Sequence, residues 1–271
     1  HCRDVVAAVS RAGGMGVFGG GNCSPETLEE ELSWIDAHVD GKPYGLDIIV
    51  PNKVEGKGEQ LDPEAVLAAL PPEHKQFAND ILQRHGVDPG RSAEDIEAVR
   101  REQVAFTDNL RGGTAEAILE VAFRHPIKLI ANALGIPPQV MLDMGQKHGV
   151  PVAALVGTKD HAMSQVAAGV DILIAVGGEA GGHTGEISTM VLIPEVCNAL
   201  AQIGDETPVL AAGGIATGAQ MAAAMAMGAS GVWCGSVWLT TVEAETNPVV
   251  KAKMLAASSR DTVRARSRTG K

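Results

Sequence analysis

The 271-residue sequence has no excess of positive charge, since 22 Lys and Arg residues stand against 33 Asp and Glu residues and give a formal net charge of −11. A surface of this kind repels the phosphates of nucleic acids and the headgroups of anionic lipids. We therefore expect neither nucleic acid nor membrane as a partner. A small-molecule substrate fits this charge better.

The sequence also lacks paired cysteines and long apolar runs. None of its cysteines forms a CxxC pair or has a histidine at zinc-ligand spacing, so no metal site is predicted. No apolar run approaches the roughly 18 to 20 residues of a membrane span, and the first residues lack the basic and apolar regions of a signal peptide. We expect a cytoplasmic protein with reduced thiols, and the sequence is compatible with a homo-oligomer. The cysteines are Cys2, Cys23, Cys197 and Cys234.

Short apolar strands alternate with amphipathic helices, which is typical of a parallel sheet with crossover helices. The chain opens on a helix that no strand precedes, so an eighth strand is expected before residue 1. The predicted fold is an α/β (β/α)₈ TIM barrel whose first strand is missing from this sequence. The seven strands predicted within it are MGVFGG, YGLDIIVP, PIKLIANALG, VPVAALVG, VDILIAVGG, TPVLAAGGI and SGVWCGSVWL.

The alternation is interrupted between residues 55 and 124, where the stretches FANDILQRHGV and SAEDIEAVRREQVAFTDNLRG have apolar positions on one face only. We interpret this region as a helical insertion, either a set of surface helices without a function or a lid over the site. The predicted barrel then comprises residues 1–54 and 125–242, and a charged tail covers residues 243–271.

Glycines cluster where the last three predicted strands end. Glycine allows backbone N–H groups to approach an anion, and the helix that follows each strand adds a partial positive charge at its N-terminus. Barrels that bind phosphate usually do so with the loops after their last two strands. A phosphate site is the favoured interpretation, and tight turns without a ligand are the alternative. The residues are Gly177, Gly178, Gly181, Gly182, Gly185, Gly213, Gly214, Gly235 and the neighbouring Ser236.

His183 lies inside the glycine-rich loop EAGGHTGE and is the candidate general base, because its pKa near neutrality suits proton abstraction. A structural hydrogen-bonding role is the alternative. Glu179 and Glu186 could orient His183 or interact with the N-terminus of the next helix. Cys234 is interpreted as an inert thiol beside the phosphate loop. The remaining histidines are predicted to be surface residues: His1, His38, His74, His85, His125, His148 and His161.

The motifs GGEAGGHTGE, PVLAAGGIATG and GVWCGS, in this order and spacing, resemble those of the nitronate monooxygenases, formerly called 2-nitropropane dioxygenases, which are FMN-dependent TIM-barrel flavoproteins. The resemblance implies that His183 is the catalytic histidine and that Gly177 lies near the ribityl chain of FMN. It also implies that the FMN phosphate is held by backbone groups at Gly182, Gly214, Gly235 and Ser236. Gly181, Gly213 and Cys234 belong to the same motifs and are expected to line the cofactor.

Three positions depart from the family pattern. An Asn and a Gln that contact the flavin at the end of an early strand correspond here to the stretch DIIVPN, which offers Asp47 and Asn52. A lysine found in some members is replaced by Leu155. The motif GTRF reads GSVW here, which keeps the hydroxyl of Ser236 and loses the arginine.

The resemblance implies oxidation of alkyl nitronates or nitroalkanes with dioxygen. The segment GHTGEISTM also resembles the flavin-dependent enoyl-ACP reductases, which pass a hydride from NAD(P)H to the carbon–carbon double bond of a thioester. A flavin-binding protein without turnover and a phosphosugar-binding barrel enzyme without flavin are further alternatives.

Overall fold

The computed structural model describes residues 2–50, 70–88, 90 and 112–265, which contain one seven-stranded parallel sheet. The strands follow one another in chain order across the sheet, so each helical crossover joins neighbouring strands. All seven predicted strands are confirmed. They are β1 (Gly16–Gly19), β2 (Tyr44–Ile48), β3 (Ile130–Asn132), β4 (Val152–Val156), β5 (Ile172–Val176), β6 (Val209–Ala212) and β7 (Gly231–Trp233).

Helices precede, connect and follow these strands. They are α1 (Arg3–Arg11), α2 (Pro25–His38), α3 (Pro72–Arg84), α4 (Gly112–Ala122), α5 (Gln139–His148), α6 (Lys159–Ala167), α7 (Thr189–Ile203), α8 (Gly218–Ala226) and α9 (Pro248–Ala256). In the part of the chain that the structure describes, no helix has the length and apolar character needed to cross a membrane.

Local sequence signals set the ends of several helices. Ser24 begins α2 by accepting a hydrogen bond from the Thr27 N–H, and Thr217 forms a capping box with Gln220 at the start of α8. Such caps satisfy backbone donors that have no partner within the helix. At the C-terminal end of α7, Gly204 takes the left-handed conformation that glycine adopts without a steric penalty.

The core lies on both faces of the sheet. Two clusters pack helices against the outer face, one around β1–β3 and the other around β4–β6, and Leu142 of α5 contacts both. The opposite face, which we call the inner face, carries a third cluster. Its buried members are Leu129, Ala131, Ala153, Ile174, Val176 and Ala212.

The last strand is shorter than predicted. The stretch SGVWCGSVWL leaves the sheet after Trp233, and Ser236–Thr240 form a 3₁₀ helix. The Trp238 indole N–H donates to the Cys234 carbonyl at 2.8 Å, and the Trp238 backbone N–H donates to the Gly235 carbonyl at 3.0 Å. These bonds turn the chain at the end of β7.

Among the described residues of the region predicted as an insertion there are two helices. Helix α3 has no buried residue, whereas α4 places Ile118 and Leu119 in the core beside α2. The stretch SAEDIEAVRREQVAFTDNLRG lies almost wholly outside the described residues. The domain boundaries and the eighth strand before residue 1 stay predictions.

Candidate functional site

The turns that follow β5, β6 and β7 meet at one edge of the sheet, because parallel strands direct their carboxyl ends the same way. The Gly177 N–H donates to the Ala212 carbonyl at 2.9 Å and so joins the ends of β5 and β6. A Cβ placed on Gly181 would lie 2.6 Å from the Ser236 hydroxyl oxygen, which brings the turn after β7 to the same place. The predicted glycine cluster is therefore assembled in space.

Backbone conformation requires glycine at three of these positions. Gly182, Gly213 and Gly214 have φ angles of +82°, +110° and +69°, a region that other residues rarely adopt. Gly213 is also crowded, since an added Cβ would lie 3.1 Å from the Ala180 backbone nitrogen. These glycines, one after β5 and two after β6, have no Cβ that would keep an anion away from the backbone amides.

Glu179 is bound to the start of α7. One of its carboxylate oxygens accepts hydrogen bonds from the Thr189 backbone N–H and the Thr189 hydroxyl, both at 2.8 Å. Burial acts to raise the pKa of Glu179, but the bonds from Thr189 and the nearby Arg264 guanidinium outweigh it and lower the pKa overall. Of the two roles considered for Glu179, the structure shows the one at the helix N-terminus.

Thr189 contacts the turns after both β5 and β6, and the sequence analysis did not identify it. Its hydroxyl also lies 3.0 Å from the Gly213 carbonyl, and a Cβ on Gly177 would approach that hydroxyl to 2.1 Å. The signal available in the sequence was a Ser-Thr pair directly before the apolar run of α7.

His183 occupies the exposed part of the turn after β5, one residue beyond Gly182. It is exposed, so a ligand that enters from the solvent can meet it. Its role as a base stays a prediction.

Asp47 lies on β2, apart from the glycine turns. Its neighbours Leu46 and Ile48 belong to the outer core cluster, so alternation along the strand directs Asp47 to the inner face. Its Oδ1 atom is buried without a hydrogen-bond partner, and burial raises the pKa of this carboxyl from 3.8 to about 7. Asn52, predicted beside it, lies outside the described residues.

Two further predicted positions can be located. Cys234 is a free, half-buried cysteine whose thiol pKa is raised by burial, as expected for an inert thiol. Leu155 on β4 packs in the inner-face cluster.

One prediction about the histidines was wrong. The side chain of His125 is only 6% exposed and its Nδ1 lies 2.7 Å from an Asp36 carboxylate oxygen. The chain turns inward after α4, where the carboxylates of Glu29 and Asp36 on α2 flank the ring. The sequence pattern of α4 gave no indication of this contact.

Arg264 also reaches the site, from the region predicted as a charged tail. Its guanidinium donates to the Gly185 carbonyl at 2.7 Å, and its Nη1 lies 3.4 Å from the place a Cβ on Gly178 would take. No local motif predicted this contact, because it joins residues 79 positions apart.

A comparison with protein families gives one match over nearly the whole chain: the nitronate monooxygenase model covers residues 2–271. The chain belongs to the nitronate monooxygenase family. The sequence resemblance is thereby confirmed, and the chain falls in a family of oxidoreductases.

Individual relatives agree with this family. A Mycobacterium tuberculosis protein provisionally named a monooxygenase is 51% identical over 100% of this chain and 70% of its own length. The solved nitroalkane oxidase of Streptomyces ansochromogenes is 25% identical, with a TM-score of 0.70 over 93% of this chain and 66% of its own. FabK from Thermotoga maritima is 28% identical, with a TM-score of 0.67 over 96% of this chain. The chain spans 62% of the FabK chain.

Proposed function

We propose that the chain forms the main part of an eightfold barrel flavoprotein that binds FMN and oxidises alkyl nitronates or nitroalkanes with dioxygen. The observation that carries this proposal is the meeting of three glycine turns at the ends of β5, β6 and β7, with the Ser236 hydroxyl beside Gly181. A TIM barrel that binds phosphate uses this place in the fold.

The residues at this edge fit the phosphate of FMN. It would be held by the backbone amides of Gly182, Gly214 and Gly235 and by the hydroxyl of Ser236. Gly181 lies close to Ser236, since a Cβ on Gly181 would collide with the Ser236 hydroxyl. Gly177, Gly213 and Cys234 connect these groups to the strand ends, where the ribityl chain would pass. Asp47 lies further into the barrel, on the inner face.

FMN, when bound, would accept electrons from the substrate and pass them to dioxygen. The proposed task of His183 is to accept a proton from the carbon next to the nitro group, which converts a neutral nitroalkane into its nitronate. The exposed position of His183 in the turn after β5 supports this task. The link between Glu179 and Thr189 would keep that turn in place.

A comparison of two substrates tests this role. His183→Ala should bind FMN normally. Its turnover number for a neutral nitroalkane should fall about a hundredfold or more, which is the usual contribution of a general base. It should retain most of its turnover of the preformed nitronate, which needs no deprotonation. His161→Ala, at an exposed position on helix α6, is the matched control. Equal losses on both substrates would contradict the assignment of His183 as the base.

The second candidate is an NAD(P)H-dependent ene-reductase that acts on a thioester. It is favoured by the segment GHTGEISTM and its resemblance to the enoyl-ACP reductases. Anaerobic mixing of the FMN-loaded protein with NADH and NADPH separates the two candidates. Rapid bleaching of the flavin absorbance would favour the reductase, and an unchanged spectrum would favour the monooxygenase.

A further inference from the structure

Asp47 is the only acidic or basic side chain in the seven described strands. It lies half-buried on the inner face, whose buried members are apolar, and its Oδ1 atom is fully covered. Burying an ionised carboxylate among apolar side chains without a partner is costly, so such a group tends to hold its proton or to meet a ligand.

The residues that pair with Asp47 across the sheet have small side chains or none. Its register partners on the neighbouring strands are Gly19 and Ala131, and Ala153 follows on β4. A Cβ placed on Gly19 would meet no atom within 4 Å, so the inner face is open on that side. A flat ring could therefore approach Asp47 from the side of Gly19.

The backbone around Asp47 is firmly held. Its carbonyl accepts a hydrogen bond from the Gly20 N–H at 2.8 Å. Beyond it, the Val50 N–H donates at 2.9 Å to the buried side-chain oxygen of Asn132. The carboxyl is therefore presented from a fixed strand end. Burial raises the pKa of Asp47, and no charged group among the residues that the structure describes contributes to the shift.

We propose that Asp47 binds the isoalloxazine ring of FMN as a neutral carboxylic acid, donating one hydrogen bond from its O–H group. This inference rests on the proposed function, because it requires FMN in the barrel. A protonated carboxyl offers one donor and an acceptor, which matches a ring that carries carbonyl oxygens and an N–H group side by side. An ionised carboxylate could only accept, and it would repel a reduced, anionic ring.

The inference makes FMN affinity depend on pH through one residue. As the pH rises through the pKa of Asp47, the donor is lost, and the Kd for FMN should increase by up to about tenfold per pH unit. Between about pH 6 and about pH 9 the wild-type Kd should rise at least about tenfold. Asp47→Asn keeps a donor at every pH, so its Kd should change several-fold less over the same range.

Flavin fluorescence quenching measures these Kd values without reference to activity. The ionisation of the FMN phosphate also changes in this range, but the phosphate binds to both wild type and Asp47→Asn, so the difference between the two proteins isolates Asp47. Ser236→Ala is the control at the phosphate end of the site. This variant should raise the Kd for FMN by a similar factor at both pH values.

A second measurement needs no variant. At about pH 8 the FMN phosphate is already fully ionised. Binding of FMN to the wild-type protein should therefore take up a proton from a weakly buffered solution containing an indicator dye, up to one per site. Proton uptake supports the inference.

The outcomes separate the two proposals. If FMN binds with the same pH dependence in wild type and Asp47→Asn, and without proton uptake, the role of Asp47 is wrong and the proposed function stands. If wild-type protein does not bind FMN at either pH, the proposed function fails and this inference fails with it.

Discussion

The carboxylate of Glu179 and the first residue of α7, Thr189, hold each other through two hydrogen bonds of 2.8 Å. The Thr189 hydroxyl has a single proton and also lies 3.0 Å from the Gly213 carbonyl, so it can serve only one of these acceptors at a time. This contact joins the turn after β5 to the end of β6, and the same turn carries His183.

Removal of the Thr189 hydroxyl should weaken the fold. In Thr189→Val the shape of the side chain is kept, but the one hydrogen bond that the hydroxyl can donate in this buried place is lost. We expect a loss of about 1 to 2 kcal/mol in the free energy of unfolding, measured with urea. Ser188→Ala is the matched control, since Ser188 makes no side-chain capping bond and its loss should change stability by less than about 0.5 kcal/mol. Equal stability of the two variants would contradict the role of Thr189.

Asp47→Asn should stabilise the protein without cofactor, and the gain should depend on pH. Burial raises the pKa of Asp47 from 3.8 to about 7, so the folded state holds the proton more tightly than the unfolded state. The contribution of Asp47 to stability is therefore complete below about pH 4 and is lost as the pH rises through about 7.

Asparagine does not titrate, so the variant avoids this loss. Its Tm should exceed that of wild type at about pH 8, and the two values should converge near about pH 4. Calorimetry across this range measures the difference. A gain that is constant with pH would mean that the carboxyl does not carry the proton.

Replacement of two glycines of the same turn by alanine should affect two different properties, the stability of the fold and the affinity for FMN. A Cβ on Gly177 would lie 2.5 Å from the Thr189 backbone nitrogen, which cannot move aside easily. Gly177→Ala should therefore destabilise the protein without cofactor by about 3 kcal/mol. A Cβ on Gly181 meets only the Ser236 hydroxyl, which can rotate away. Gly181→Ala should fold normally and bind FMN at least about tenfold more weakly, which corresponds to about 1.4 kcal/mol.

Gly218→Ala serves as the control for both changes, because a Cβ at Gly218 would meet nothing within 4 Å. Unfolding curves and FMN titrations of the three variants give the comparison. Should Gly181→Ala bind FMN as wild type does, the proposed phosphate cradle is misplaced.

Most of the fold could be predicted from the sequence, because its local signals agree with its tertiary structure. Apolar runs bounded by glycine define the strands, and Ser24 begins α2 as its position predicts. The prediction extended β7 too far because VWL has strand-like side chains. A side-chain bond from Trp238 to the Cys234 carbonyl turns the chain away instead, and such a bond leaves no trace in periodicity.

The glycine turns could also be found from the sequence, since only glycine adopts their backbone conformations. Contacts between distant residues could not. Arg264 reaches Gly185 across 79 positions, and His125 is buried by two carboxylates of α2. The pairing of Asp47 with Gly19 and Ala131 on the neighbouring strands is likewise a long-range feature that the letters of β2 alone do not contain.

The outer core is divided between the two halves of the sheet, and Leu142 belongs to the margin of both clusters. Asp47 stands in the first half, whereas the glycine turns belong to the second. A molecule that spans the distance from Asp47 to Ser236 would thus contact both halves of the sheet. Its arrival should slow amide hydrogen exchange in both halves at once.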